Sequence, residues 1–255
     1  MTRAPIDTIA APLFPRNLPW LNTPAGGQVS IIQRDKPLLV EFWDFCRPNS
    51  IRTLPYVKAW HERYADDGLR VVSVHCPGFE LSHDENAVRA AVARLGIEHP
   101  VLIDSGLELW REYENEGWPA RYLFDGGARL FEYHFGEGGY ATSELAIQEL
   151  LGVEREPLAP LRPEDAPGAS ILAPTPEQQG VYSGPYEAGG VWAVLGGSGG
   201  VRVNGGSALG GSELTVTASG AYPLIEHGRH TAGALELECD DGVECVATCF
   251  TPGAA

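Results

Sequence analysis

The sequence predicts an α/β domain, a central mixed sheet flanked by helices, followed by a small antiparallel β domain. Three observations predict it. The apolar run Leu38 to Phe45, rich in aromatic and branched residues and bounded by Lys36-Pro37 and a polar turn, suits a strand buried on both faces. Beyond the turn, Ile51, Leu54, Val57, His61 and Tyr64 recur at helical spacing, and Asp67-Gly68 then leads into a second apolar run, Leu69 to Cys76. Strand, helix and strand in that order imply a right-handed crossover and a parallel pair. From Gly180 the chain turns Gly-rich, with short alternating runs between turn residues, which reads as antiparallel strands.

The elements follow in order. Residues 1–16 form a Pro-containing extension, and Trp20, in Leu18-Pro19-Trp20-Leu21-Asn22, is expected to pack on the core. Val29 to Ile32 is a candidate short strand. Asn49 or Ser50 can cap the first helix, and Pro55, one turn in, is expected to bend it. Val88, Ala91, Val92 and Leu95 place a helix over Asp84 to Leu95, stopped by Gly96. A short strand at Val101 to Asp104, a short helix at Leu107 to Tyr113, and a strand at Ala120 to Phe124 come next. Asp125-Gly126-Gly127 turns the chain into an antiparallel Leu130 to Phe135, and a helix over Thr142 to Leu151, capped by Thr142 or Ser143, closes the domain. Residues 153–176 shift to Pro, Glu and Ala without periodicity, as a linker does. Strands are expected at 191–195, 200–203, 213–217, 234–239 and 243–250.

Composition narrows the function. A hydrophobic share of 44% marks a globular chain. A net charge of −16 argues against nucleic acid and anionic membrane surfaces as partners. No apolar run approaches the roughly 20 residues that span a bilayer, and the first residues lack a secretory core, so the expected location is cytoplasmic. Five cysteines occur without paired Cys-x-x-Cys spacing, so neither a metal nor a cofactor is expected; Cys239, Cys245 and Cys249 read better as strand residues than as ligands. Phosphate-loop, dinucleotide and serine-hydrolase motifs are missing from the sequence.

The chemistry centres on Cys46, between a strand's end and a helix's start. Backbone N–H groups, the helix dipole and Arg47 there favour a thiolate; the plainer reading is a buried apolar Cys. If the first two strands are parallel neighbours, Cys76 ends on the same sheet edge as Cys46. It would then be either a resolving thiol or a buried, reduced residue.

Glu41-Phe42-Trp43 ahead of this turn resembles the thioredoxin-like superfamily, and the similarity is closer to its TlpA/DipZ-type proteins. It is carried by Arg52-Thr53-Leu54-Pro55-Tyr56, by Val74-His75 with Pro77, by Trp118-Pro119-Ala120-Arg121-Tyr122-Leu123 and by Phe135-Gly136-Glu137-Gly138, over residues 17–152. The resemblance implies a thioredoxin-like fold and thiol–disulfide exchange with protein or small-molecule thiols and disulfides. It implies a cis Pro119, with Trp43, Arg47, Ser50, Trp118 and Pro119 lining the substrate site and Glu41 as a buried proton-handling acid. It also shows a departure: the two family cysteines fall on Arg47 and Ser50, so the chemistry would rest on Cys46, with Cys76 as possible partner. The alternative is a redox-silent module binding an extended peptide beside Pro119. Against a peroxiredoxin-like reading, Trp43 stands where that family has Thr. The terminal β domain, residues 177–255, resembles a shortened DipZ-type sandwich and offers an edge for a homodimer.

Overall fold

The computed structural model describes residues 8–23, 35–205 and 213–255. The expected strand at 29–32 lies outside them. The chain divides into two compact units: residues 1–44, 52–78 and 83–158 form one, and residues 45–51, 79–82 and 159–255 the other.

The first unit is a mixed sheet with helices. Its strands are β1 (Trp20–Leu21), β2 (Leu38–Trp43), β3 (Arg70–His75), β4 (Val101–Ile103), β5 (Ala120–Phe124) and β6 (Leu130–Phe135), in spatial order β1-β4-β3-β2-β5-β6. β2 and β3 are parallel, with Trp43 opposite His75, as the crossover argument requires. β5 pairs antiparallel with β2 and with β6. Side-chain alternation splits β2 between two cores. Val40 and Phe42 face an aromatic cluster in which the Phe42 ring meets Trp110, Tyr113 and Tyr122 edge-on. Leu39 faces the other, among Trp60, Tyr64 and Ile147. Burying each such large apolar side chain is worth about 1.5–3 kcal/mol. Trp20 packs on the first cluster and meets Phe14 edge-on.

Helix α1 spans Pro48–Tyr64, α2 Glu85–Arg94, α3 Glu108–Glu112 and α4 Tyr140–Leu151. α1 starts earlier than the Asn49 or Ser50 cap predicts. The Arg47 carbonyl accepts from the N–H groups of Ser50 and Ile51, so Pro48 occupies the first helical position, where its fixed φ fits and its missing donor costs nothing. Pro55 lies inside α1, which continues as α-helix on either side. Asp84 caps α2, accepting from the Asn86 N–H. α4 starts at Tyr140, ahead of the Thr142 or Ser143 predicted as caps, because Gly139 at φ 64° turns the loop directly into the helix.

The second unit carries the sheet β11-β10-β12-β9-β13-β8, built from β8 (Gln178–Gln179), β9 (Gly184–Gly197), β10 (Gly199–Asn204), β11 (Glu213–Val216), β12 (Gly220–Cys239) and β13 (Val243–Thr251). β7 (Ile171–Leu172) pairs with β14 (Gly253–Ala254). Val191, Ala193, Leu195, Val201, Leu224, Leu235 and Leu237 fill its core. β9 and β12 run longer than the sequence predicts. Their Gly- and Pro-rich halves still pair, with register shifts after Pro223 and Glu226. Gly189 shows why such residues sit in a strand: a Cβ there would stand 2.2 Å from the Pro252 carbonyl oxygen.

Candidate functional site

The carboxyl ends of β2 and β3 concentrate the polar groups of the first unit. Cys76 continues β3 by donating its N–H to the Trp43 carbonyl. Its own carbonyl accepts from the Trp118 indole at 2.9 Å, which seats Trp118 one residue before the cis peptide to Pro119. Trp118 also packs on Trp110, ring centroids 4.3 Å apart. The Cys76 thiol donates to Asp104 Oδ2 at 3.5 Å, and Asp104 in turn accepts from the N–H groups of Glu108 and Trp110 at the start of α3. Burial first, and then the Asp104 and Asp44 carboxylates, push this thiol well above its ordinary value. Cys76 is thereby held in the protonated form, which does not attack disulfides. Asp44 accepts from the Gly78 N–H at 2.8 Å and stands 3.6 Å from His75 Nε2, both side chains fully buried.

Glu41, in the middle of β2, is fully buried and lies between Ser73 on β3 and Arg121 on β5 in the strand register. Ser73 Oγ donates to Glu41 Oε2 at 2.8 Å and stands 2.7 Å from His99 Nε2. Burial raises the Glu41 carboxyl from 4.5 to about 7, against the opposing pull of the Ser73 hydrogen bond and the Arg121 charge. Burial, helped by His61 and Lys58, lowers His99 to about 3, so this imidazole stays neutral beside Ser73. Sequence reading missed Ser73 and His99. Strand alternation could have found Ser73, which takes the Glu41 face once β2 and β3 are paired; a loop histidine gives no such signal.

The turn that carries Cys46 belongs to the second unit. Cys46 is fully buried, two residues ahead of α1. Arg47 pairs with Glu177 at 3.2 Å, and its guanidinium lies 4.2 Å from the centre of the Phe79 ring. The Phe45 carbonyl accepts from the Ala221 N–H of β12. Ser50 is buried in the first turn of α1. The structure thus groups Glu41, Trp43, Cys76, Trp118 and Pro119 in one unit, and Cys46, Arg47 and Ser50 in the other. No disulfide joins the five cysteines. Among the described residues no cluster of three or more metal-ligating side chains occurs, and no helix is long and apolar enough to cross a membrane.

No family model matches the chain. It is 34% identical over 165 residues to Protein DipZ of Mycobacterium bovis, covering 62% of this chain and 23% of that protein. It is 34% identical over 127 residues to Protein SUPPRESSOR OF QUENCHING 1 of Arabidopsis thaliana, covering 50% and 12%. With Thiol-disulfide oxidoreductase YkuV of Bacillus subtilis it shares 31% identity over 134 residues, 52% of this chain and 87% of that one. The chain spans about a quarter of the length of the DipZ proteins it matches.

Proposed function

The chain belongs to the thioredoxin-like superfamily, with the TlpA/DipZ-type proteins, and on that premise we propose that it carries out thiol–disulfide exchange through one thiol, Cys46. The observation that carries this reading is the placement of Cys46. It is the one cysteine of the turn between β2 and α1, two residues ahead of a 17-residue helix. A thiolate in that turn gains from the helix dipole and from the neighbouring Arg47.

The exchange runs in two steps. The Cys46 thiolate attacks one sulfur of a substrate disulfide; a mixed disulfide forms, the substrate S–S bond breaks, and the second sulfur leaves as a thiolate that takes a proton from solvent. An external small-molecule thiol then attacks the mixed disulfide and returns Cys46 to its reduced form. By the resemblance, Ser50 stands where the family's resolving cysteine falls, so the rate depends on that external thiol.

Substitution of Cys46 with Ser is expected to abolish reduction of insulin disulfides in the presence of glutathione, with the far-ultraviolet spectrum unchanged. Retention of wild-type activity in that variant would eliminate the proposal. A second reading is favoured by one observation, the complete burial of Cys46: a redox-silent module that binds an extended peptide beside Pro119. It predicts that neither wild type nor variant reduces insulin.

A further inference from the structure

The second unit holds a pair of thiols that the Cys46 reading does not use. Cys239 ends β12 and Cys245 lies early in β13, joined by the turn Asp240-Asp241-Gly242. Leu235 and Leu237 alternate with Cys239 along β12, and Val243 with Cys245 along β13, so both thiols face the core of this unit. Both are partly exposed and pack against the same core cluster. The turn is pinned. The Asp240 carboxylate accepts from the Gly200 N–H at 2.8 Å, its N–H donates to the Gly200 carbonyl, and its carbonyl accepts from the Val243 N–H. Cys249 is a poorer partner for Cys245. It lies four strand residues on, nominally about 13 Å away, and its thiol is turned to Glu177 Oε2 at 3.5 Å.

We propose that Cys239 and Cys245 form a reversible dithiol–disulfide couple, a second redox site whose oxidants are neutral or cationic disulfides. A Cys239 thiolate attacks a disulfide RS–SR, forming Cys239–S–S–R and releasing one RS⁻. Cys245 loses its proton to solvent, and its thiolate attacks the Cys239 sulfur; the Cys239–Cys245 S–S bond forms, the S–S bond of the mixed disulfide breaks, and the second RS⁻ leaves. The two protein thiols are oxidised by two electrons, RSSR is reduced to two thiols, and the two thiol protons end on the products. Burial raises both thiols, Cys245 up to about 11, and the Cys245 thiol donates to the Ala247 carbonyl at 3.7 Å, so Cys239, whose thiol has no such acceptor among the hydrogen bonds of the described residues, is taken as the attacking group. The substrate preference follows from charge. Glu238, Asp240, Asp241 and Glu244 flank the pair, and against them Arg202 supplies one positive charge, paired with Glu238 at 3.0 Å and Asp240 at 3.6 Å. An anionic disulfide is repelled there and a cationic one is drawn in. The couple operates without Cys46.

The test treats the reduced protein with cystamine, a cationic disulfide, or with oxidised glutathione, an anionic one, at mildly alkaline pH. Remaining thiols are then alkylated and the peptides mapped by mass spectrometry. The expected product is a peptide carrying Cys239 and Cys245, lighter by two hydrogens and unalkylated at both, and restored by dithiothreitol. It should form on the order of tenfold faster with cystamine at low salt, with the difference shrinking at high salt. Cys239→Ser and Cys245→Ser should each stop at a stable mixed disulfide on the remaining thiol, while Cys249→Ser still closes the pair. Wild-type protein that accumulates single adducts at Cys239 or Cys245 without closing overturns the couple, as does a linkage that includes Cys249. Equal rates with the two disulfides overturn the charge preference. Peptide mapping separates these outcomes from any reaction at Cys46.

Discussion

Glu144→Ala lowers the stability of the α/β unit by about 3–5 kcal/mol, the cost of removing one partner from a buried charged network. Glu144 lies on α4, 1% exposed. Its two oxygens accept from the Trp60 indole at 3.2 Å, Arg63 Nη1 at 3.1 Å, the Tyr64 hydroxyl at 2.7 Å and the Leu158 N–H at 2.8 Å. Three of these donors come from α1 and one from the segment after α4, so a single carboxylate ties three stretches of chain together. Truncation leaves the indole and hydroxyl buried without an acceptor. Burial first, and then the hydrogen bond to Glu144 and its charge, hold the Tyr64 hydroxyl up at about 12. Thermal unfolding should show Tm falling by about 10 °C, whereas Leu145→Ala, on the exposed side of the same helix, should barely move it. A Glu144→Ala protein as stable as wild type would mean that the network contributes nothing.

Glu41→Gln changes how stability depends on pH. The Glu41 carboxyl is raised from 4.5 to about 7 in the folded protein, chiefly by burial. A raised carboxyl favours folding while it is protonated in both states, below about 4.5. That advantage is lost as pH rises through the folded value, because a charge must then be kept in the core. The neutral amide escapes this loss. Measured by urea unfolding, the stability of Glu41→Gln relative to wild type should therefore rise by about 3 kcal/mol between pH 4.5 and 8.5, following 1.36 kcal/mol for each pH step over which only the unfolded carboxyl ionises. A difference that stays flat with pH would show that Glu41 ionises normally and that the Ser73 and Arg121 interactions overcome its burial.

Much of the first unit could be read in the chain because its signals are local. Leu38 to Trp43 carries the apolar run of a strand buried on both faces, and Val88, Ala91 and Val92 carry a helical period. The start of α4 was misplaced because the switch is a left-handed glycine, Gly139, rather than a side-chain cap. β9 and β12 were read short for a related reason. Their first halves hold Gly and Pro where backbones cross closely, as Gly189 does beneath Pro252, and close approach leaves no apolar period to detect. At the site, Glu41, Trp43 and Pro119 were legible from the motif. The Asp104 partner of Cys76 and the His99 partner of Ser73 were not, since each comes from a loop brought in by tertiary packing.

The most direct measurement is the alkylation rate of Cys46 in the native protein as a function of pH, followed by mass spectrometry beside its rate in urea. Exchange through Cys46 predicts reaction in the folded state, with a midpoint below the ordinary thiol value of about 8.5. A Cys46 that reacts only as fast as the protein unfolds, at every pH, would contradict that chemistry and leave the Pro119 shelf as a peptide-binding surface.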